Sequence, residues 1–193
     1  YTFSHSIGTL VARCYMQKYD EEINKIVLCG TPTYNKLAPL ALTMAEISNV
    51  FGSRKRDNFL DKLTFNSFNK GYDYKNAWLS KSKKNVDNYN KDNLCGFTFT
   101  TNGFINLYKL QIGSFNDKLF KCQNKDLKIL MIAGSDDPVI GNEKLFKRLK
   151  EFLTNVGYQN IESKLYNSLR HEIFNEDEYN EIYQDVLNFI EGV

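Results

Sequence analysis

The chain has 193 residues, of which 42% are hydrophobic and 25% are charged, and its net charge is +2. This length is sufficient for one domain with a sizeable core, and the nearly balanced charge gives no electrostatic basis for nucleic acid as a partner. No stretch approaches the ~20 continuous apolar residues that span a membrane. The four cysteines lack CxxC pairs and zinc-site spacing, which favours reduced thiols in a cytosolic protein.

Strand and helix patterns alternate from the start of the chain. Residues 1–3 are typical of the end of a strand, so we expect a further part of the protein N-terminal to Tyr1. Apolar residues at a 3.6-residue period predict a helix over residues 7–19. The β-branched apolar run at residues 25–29 predicts a buried strand of a parallel sheet.

Residues 33–123 have a different character, and we call them the insertion. An apolar helix is predicted over residues 40–50. A long polar stretch rich in Asn, Lys, Ser and Tyr follows, and then an aromatic cluster at residues 95–99. Because the period-2 alternation typical of strands is scarce there, we predict a mostly helical structure.

The alternation of strand and helix resumes after the insertion. A buried strand is predicted over residues 127–133, an amphipathic helix over 143–156, a strand nearer an edge over 161–166 and a final helix over 177–190. Together the elements predict an α/β fold with a mostly parallel sheet covered by helices. The predicted division of the chain is core residues 1–32, insertion residues 33–123 and core residues 124–193.

The first candidate for chemistry is the pentapeptide Ser4-His5-Ser6-Ile7-Gly8, between a predicted strand and a predicted helix. In this context a nucleophilic serine is held with its Oγ exposed, and the N–H of Ile7 would be one oxyanion-hole donor. The tight turn requires small residues two before and two after the serine. Gly8 meets this requirement, whereas Ser4 departs from the G-x-S-x-G pattern. A chance turn that caps a helix explains the pentapeptide equally well.

Two further polar residues lie in loops that follow predicted strands. Asp137 lies at the carboxyl end of a buried strand, where catalytic groups collect in open α/β sheets; the alternative is an Asp-Pro turn that starts the next helix. His171 lies between the last predicted strand and the last predicted helix. The chain has two histidines. Since His5 is inside the pentapeptide, a histidine general base can only be His171, although an isolated loop histidine is more simply interpreted as solvent-exposed.

The combination of the three residues is more informative than any one of them. The order Ser6, Asp137, His171 is the order of the triad in α/β-hydrolases, and each residue follows a predicted strand. The predicted chemistry is acyl transfer, with Ser6 as nucleophile, His171 as base and Asp137 holding the tautomer of His171. This chemistry requires no metal and no other cofactor.

Eight stretches also carry a family resemblance, and the last three are the most specific. They are residues 4–9, 12–13, 29–31, 65–69, 78–80, 94–100, 134–139 and 170–176. Through them the chain resembles, over nearly its whole length, the lysophospholipase and monoacylglycerol-lipase-like branch of the α/β-hydrolases, which is also labelled serine aminopeptidase.

This resemblance implies several further properties. It assigns the catalytic acid to the aspartate before Pro-Val, which is Asp137 rather than Asp136. It implies that the insertion is a helical cap over the active site, and that the substrates are fatty-acid esters of glycerol or glycerophosphate. Family members carry strands and an oxyanion loop before the nucleophile. We therefore expect little activity from these residues alone, since one missing oxyanion donor costs roughly 10²–10³ in kcat.

Apolar residues of the insertion are candidates for contact with an acyl chain. The helix predicted over residues 40–50 is more apolar than one outer face requires, so Leu40 and Met44 are predicted to line a mouth for the chain; the alternative is packing on the domain. Cys95, Phe97 and Phe99 would line the pocket or form the core of the insertion itself. His5, beside the nucleophile, is a further candidate for substrate contact.

The leading prediction is a cytoplasmic or membrane-peripheral ester hydrolase acting on lysophospholipids or monoacylglycerols. One rival is a peptidase, or a small-ester or thioester hydrolase, on the same triad, because a fold and a triad do not define the substrate. Another rival is a hydrolase-fold binding protein or an inactive fragment. The sequence defines neither the lipid head group nor the oligomeric state.

Overall fold

The computed structural model describes residues 1–192, in which strands and helices alternate at both ends and helices alone occupy the middle. The strands are β1 (Thr2–His5), β2 (Lys25–Cys29), β3 (Lys128–Gly134) and β4 (Ile161–Tyr166). The α-helices are α1 (Ile7–Tyr19), α2 (Ala38–Asn49), α3 (Asn58–Phe65), α4 (Lys83–Lys91), α5 (Thr101–Gly113), α6 (Glu143–Asn155) and α7 (Tyr179–Glu191).

The four strands form one parallel sheet in the order β1-β2-β3-β4. Phe3 pairs with Val27, Val27 with Leu130, and Leu130 with Glu162. Because all the strands run in the same direction, their carboxyl ends meet at one edge of the sheet. The loops that follow β1, β3 and β4 therefore converge, which is where open α/β sheets build their sites.

The central strands β2 and β3 bury side chains on both faces of the sheet. One face packs against α1 and α6, where Met16 and Leu149 are buried, and the other face packs against α7 through Ile182. Strands covered on both sides read as continuous apolar runs, which explains why they were recognisable in the sequence. The buried side chains of β2 and β3 are Ile26, Val27, Leu28, Cys29, Ile129, Leu130, Met131, Ile132 and Ala133.

The bounds of most predicted elements are confirmed to within two residues. Helix α1 and strands β2 and β4 have the predicted bounds, and β4 lies at an edge of the described sheet as predicted. Helix α2 begins two residues earlier than predicted because Pro39 fits the first turn of a helix. Helix α7 begins at Tyr179 rather than at residue 177.

Helices α2 to α5 lie between β2 and β3 and have a small core of their own. Ala45 of α2, Leu60 of α3 and Phe104 of α5 are fully buried in it. Helix α5 is also tied to the sheet layer, since Gln17 Nε2 of α1 donates a hydrogen bond of 2.7 Å to the carbonyl of Gly113. The exact division into residues 1–32, 33–123 and 124–193 stays a prediction.

Candidate active site

Ser6 lies in a strained turn between β1 and α1. Its backbone angles are φ 52° and ψ −124°, a region that a residue with a Cβ adopts at a cost of about 1–3 kcal/mol. Two hydrogen bonds hold the turn: Ser6 N donates to the carbonyl of Cys29 (2.9 Å), and Thr9 Oγ1 donates to the carbonyl of Ser6 (2.6 Å). This strained strand-to-helix turn is the geometry of a nucleophile elbow.

Both flanking positions of the turn carry small residues, and neither position is restricted to glycine. Ser4 is buried, and its Oγ donates a hydrogen bond of 3.0 Å to the carbonyl of Val27 in β2. Its hydroxyl therefore has a partner within the sheet. A Cβ placed on Gly8 would lie 4.0 Å from Cβ of Ser4, which is an ordinary contact. The space at Gly8 would thus accommodate a methyl group.

The structure brings Ser6, Asp137 and His171 together at the carboxyl edge of the sheet. His171 Nε2 lies 2.9 Å from Ser6 Oγ, and His171 Nδ1 lies 2.9 Å from Asp137 Oδ2. His171 and Asp137 are each only 2% exposed. Because an ionised carboxylate can only accept, Nδ1 carries the proton of the neutral imidazole, and Nε2 is then free to accept from the hydroxyl of Ser6.

The other oxygen of the Asp137 carboxylate is also engaged. Oδ1 accepts a hydrogen bond of 2.8 Å from the backbone N–H of Val139, two residues further along the same turn. Both oxygens of this buried group thus have partners, which offsets the cost of removing it from water. The carboxylate has one fixed orientation, and it faces His171.

Two glycines allow the segments of the site to approach one another. A Cβ on Gly134, the last residue of β3, would lie 2.1 Å from the carbonyl oxygen of Leu169. Only glycine fits there, because the loop that carries His171 passes directly over this point. Gly30 has φ +56°, and a Cβ on it would lie 3.1 Å from Cε1 and Nδ1 of His171. The imidazole thus rests against bare backbone.

Two other rings flank the imidazole of His171. The ring centroid of His5 lies 4.7 Å from that of His171, and the indole of Trp78 lies 5.1 Å from it. Burial, and to a smaller extent the neighbouring His171, lower the pKa of His5 to about 4, although Asp137 opposes the shift. His5 is therefore a neutral ring at neutral pH, packed beside the triad.

A cavity of about 1100 Å³ opens beside these residues, and most of its wall comes from the insertion. All of the contact residues predicted from the sequence line this cavity. Ile7, the first residue of α1, also lines it, next to Ser6. Like the other N–H groups of a first helical turn, the N–H of Ile7 has no acceptor within its helix. The predicted residues on the cavity wall are His5, Ile7, Leu40, Met44, Cys95, Phe97 and Phe99.

Several residues of the cavity wall were not among the residues predicted to contact the substrate. Trp78 contacts His171 and Phe68, and Leu63 and Leu94 are exposed side chains at the cavity opening. Trp78 belongs to a stretch that carried the family resemblance, so a signal existed, but no chemistry was attached to it. Leu94 likewise belongs to such a stretch, residues 94–100, without any role having been assigned to it. Leu63 stands in polar surroundings with no periodic pattern, and nothing in the sequence marked it.

Residues 1–192 contain neither a candidate metal cluster nor a helix that could span a membrane. No group of three or more His, Cys, Asp or Glu side chains in this part of the chain is arranged as it would be around a metal ion. No helix within the same residues has the length and apolar character needed to cross a membrane.

Solved structures with the same fold include lipases and esterases. A structure described as a lipase in its open form is 23% identical, with a TM-score of 0.86, and covers 98% of this chain and 63% of its own. A thermostable carboxyl esterase from Bacillus coagulans, in complex with glycerol, is 23% identical, with a TM-score of 0.81, covering 100% and 64%. A monoglyceride lipase variant from Saccharomyces cerevisiae, bound to a substrate analogue, is 19% identical, with a TM-score of 0.66, covering 98% and 60%.

These likenesses define the fold, and the chain spans less than two thirds of the length of each of these three proteins. No curated protein matches the sequence significantly. A family profile gives the family directly: residues 1–178 match the family described as serine aminopeptidase, S33. The predicted resemblance and the predicted α/β-hydrolase fold are thereby confirmed. The chain belongs to the S33 serine aminopeptidase family of α/β-hydrolases.

Proposed function

We propose that the protein is a serine hydrolase of carboxylic esters, with Ser6 as nucleophile, His171 as general base and Asp137 as the residue that orients the base. The observation that carries this proposal is a pair of 2.9 Å contacts, one from Ser6 to His171 and one from His171 to Asp137. The three residues come from three separate loops of the sheet, and their mutual geometry meets the criterion for an activated nucleophile.

The proposed reaction follows from this arrangement. Ser6 Oγ attacks the ester carbonyl carbon while its proton passes to Nε2 of His171, and the carbonyl oxygen becomes an oxyanion facing the N–H of Ile7. The carbon–oxygen bond to the alcohol then breaks, and the alcohol leaves with the proton from Nε2. Water, deprotonated by Nε2, then attacks the acyl carbon. The bond from that carbon to Ser6 Oγ breaks, Oγ takes the proton back from Nε2, and the acid leaves. Asp137 stabilises the imidazolium at both stages.

The shape of the cavity supports a lipid ester as substrate. Its volume of about 1100 Å³ is slightly larger than that of typical small-molecule sites, and aromatic and aliphatic side chains of the insertion form much of its wall. Leu40, Met44, Phe97 and Phe99 are proposed to contact the acyl chain, with Cys95 and His5 nearer the polar parts of the wall. A monoacylglycerol or a lysophospholipid, with one acyl chain, is the proposed substrate class.

The insertion is proposed to act as a cap that also contacts membranes. Residues 33–123 carry 14 Lys and Arg against 7 Asp and Glu, a net charge of +7, whereas the remaining residues carry −5; together these give the chain's +2. Exposed apolar side chains, among them Leu37 and Leu94, surround the cavity opening together with Lys36 and Lys62. Basic residues near an anionic bilayer contribute about 1 kcal/mol each. The proposed location is the cytoplasm, with peripheral membrane contact.

The experiment that tests the proposed chemistry is labelling of the full-length protein with a fluorophosphonate, followed by peptide mapping. We expect one adduct, on Ser6, and no adduct in Ser6→Ala. A series of p-nitrophenyl esters from acetyl to palmitoyl then tests the substrate class. An increase of kcat/KM with chain length supports the lipid assignment, and a preference for the acetyl ester contradicts it. Sedimentation with phosphatidylserine vesicles tests the membrane contact separately.

The family description supports one second candidate, a peptidase on the same triad. A peptidase of this kind requires a free α-amine on its substrate and is indifferent to acyl-chain length. Hydrolysis of amino-acid p-nitroanilides with a free amine, compared with their acetylated forms, separates the two candidates. Retention of ligand binding without turnover in both the protein and Ser6→Ala would instead identify a binding protein.

A further inference from the structure

The stretch Trp78-Leu79-Ser80 has no role in the chemistry described so far, yet it lies against the loop of the proposed base. It belongs to a short segment of the insertion, residues 77–81, which we call the clamp segment. The indole of Trp78 lies 5.1 Å from the ring of His171 on one side and 5.2 Å from the ring of Phe68 on the other. The insertion, rather than the sheet, thus provides this ring beside the imidazole of His171.

Backbone hydrogen bonds join the clamp segment to the histidine loop. His171 N donates to the carbonyl of Trp78 (3.4 Å), and Glu172 N donates to the carbonyl of Leu79 (2.8 Å). The two segments are more than 90 residues apart in the chain. Their pairing fixes the backbone of His171 relative to the insertion at two consecutive residues.

Two buried or half-buried ionic side chains reinforce this pairing. Glu176 is only 2% exposed, and its carboxylate accepts from Ser80 Oγ (2.7 Å), from Lys81 N (2.9 Å) and from Arg170 N (3.2 Å). Arg170 Nη1 in turn donates to the carbonyls of Ala77 (2.6 Å) and Ser80 (2.9 Å). Every one of these bonds crosses between the clamp segment and the histidine loop or stays within that loop.

We propose that the clamp segment positions His171: Trp78 holds the face of its imidazole, and Glu176 with Arg170 locks its loop to the insertion. The catalytic consequence rests on the proposed function, whereas the positioning itself does not. Misplacement of a catalytic group by about 1 Å can cost ~10²-fold in rate, so a lock outside the cavity is expected to affect catalysis.

The same contact is expected to stabilise the charge that develops on His171 during the reaction. An aromatic face within about 6 Å of a cation stabilises it, so Trp78 favours the imidazolium that forms during the reaction. The titratable groups that face His171 are Asp137 at Nδ1 and His5 on its other flank. Its neighbours in sequence are occupied elsewhere, since Arg170 bonds to the clamp segment and the carboxylate of Glu172 accepts from Asn175.

The first test compares two pairs of conservative variants in the full-length protein. Ser80→Ala and Glu176→Gln remove or weaken the lock, and neither residue lies on the cavity wall. We expect kcat for a soluble ester to fall by about 10- to 100-fold with KM within about twofold. The matched controls are Ser82→Ala and Glu178→Gln. Among the described residues, the carboxylate of Glu178 bonds only to the exposed side chain of Lys81. Equal effects of the controls, or an unchanged kcat in both test variants, would overturn the proposal.

The second test uses fluorescence and does not depend on turnover. Trp78 is the single tryptophan of these 193 residues, and the difference in emission between the protein and Trp78→Phe isolates its contribution. A protonated imidazole quenches indole emission more strongly than a neutral one. We expect emission to fall on acidification, and the fall to be retained in Ser6→Ala and His5→Phe but lost in His171→Gln.

The two tests separate the positioning proposal from the proposed function. If no ester or peptide is hydrolysed while the quenching persists and weakens in Ser80→Ala, the clamp stands and the catalytic proposal fails. If the protein hydrolyses esters but the quenching is absent, or survives in His171→Gln, the clamp fails alone. A third variant, Trp78→Leu, removes the aromatic face beside His171 and should lower kcat for a soluble ester; an unchanged kcat would count against the role of Trp78.

Discussion

The carboxyl edge of the sheet and the insertion position their side chains by different means. At the sheet edge, Asp137 and His171 are 2% exposed. Both carboxylate oxygens of Asp137 and both ring nitrogens of His171 have a partner within about 3 Å. On the cavity wall contributed by the insertion, Leu40 is 59% exposed and Leu94 is 82% exposed. The first region is held by directional bonds, and the second presents apolar surface to a cavity.

This difference has a functional meaning. Directional bonds fix a reacting geometry, so a change at the sheet edge is expected to alter the rate of the chemical step. Exposed apolar side chains contribute contact area, whose loss is graded, so a change in the insertion is expected to alter which substrates bind. The clamp segment is the exception, because it belongs to the insertion but is proposed to position His171.

The largest expected effect comes from the carboxylate at the sheet edge. Asp137→Asn retains the shape of the side chain but favours the wrong tautomer of His171, so we expect kcat to fall by roughly 10⁴-fold with little change in KM. Asp136→Asn is the matched control one residue earlier, where the carboxylate accepts from Ser135 Oγ at the surface. Steady-state kinetics on a soluble ester measure both. A larger loss in Asp136→Asn would assign the acid to the other aspartate.

The next effect concerns two phenylalanines of the insertion that differ in burial. Phe104 is fully buried in the core of the insertion, whereas Phe97 is 51% exposed on the cavity wall. We expect Phe104→Ala to lower the free energy of unfolding by about 3–5 kcal/mol, since a buried aromatic ring leaves a cavity. Phe97→Ala should change it by less than about 0.5 kcal/mol but weaken the binding of long-chain esters. Urea denaturation followed by circular dichroism gives the free energies, and similar losses in the two variants would contradict this division.

A third prediction concerns His5, whose pKa the fold lowers to about 4 from the usual value near 6.5. The unfolded chain therefore binds a proton in this pH range that the folded protein does not. The free energy of unfolding should fall as the pH drops from about 6.5 to about 4, by less than about 1.4 kcal/mol per pH unit from this residue. His5→Phe keeps a ring beside His171 and should flatten that part of the profile. An identical slope in the variant would show that His5 is not responsible.

The sheet edge was also the region that the sequence described best. Helix α1 and strand β2 have clear 3.6-residue and apolar-run patterns, and the turn chemistry around Ser6 and Asp137 is local in sequence. The order of the three residues then supplied the long-range information that local patterns lack. The structure brings these residues together, as the α/β-hydrolase order implied.

The insertion was described less well, for identifiable physical reasons. Helix α4 buries only Val86, so it carries no apolar stripe that a periodicity search would find. Outside the insertion, helix α7 begins two residues later than predicted. The prediction placed its start beside Glu176, whose carboxylate accepts a hydrogen bond from Ser80 of the insertion, 96 residues away. Contacts of this kind, including that between Trp78 and His171, depend on how distant segments meet, and no local pattern contains them.

The smallest expected effect tests whether exposed apolar residues at the cavity opening differ from those elsewhere on the insertion. Leu94 and Val50 are each 82% exposed, but only Leu94 lies on the cavity wall. Leu94→Ser should raise KM for a long-chain ester about two- to fivefold, as expected for the loss of a partial apolar contact worth roughly 0.5–1 kcal/mol, while leaving kcat for an acetyl ester unchanged. Val50→Ser should leave both constants unchanged. Because the two side chains have the same exposure, any difference between the variants comes from position relative to the cavity. Equal KM values would mean that the opening does not contact the acyl chain and that substrate selection lies deeper, among residues such as Met44 and Phe99.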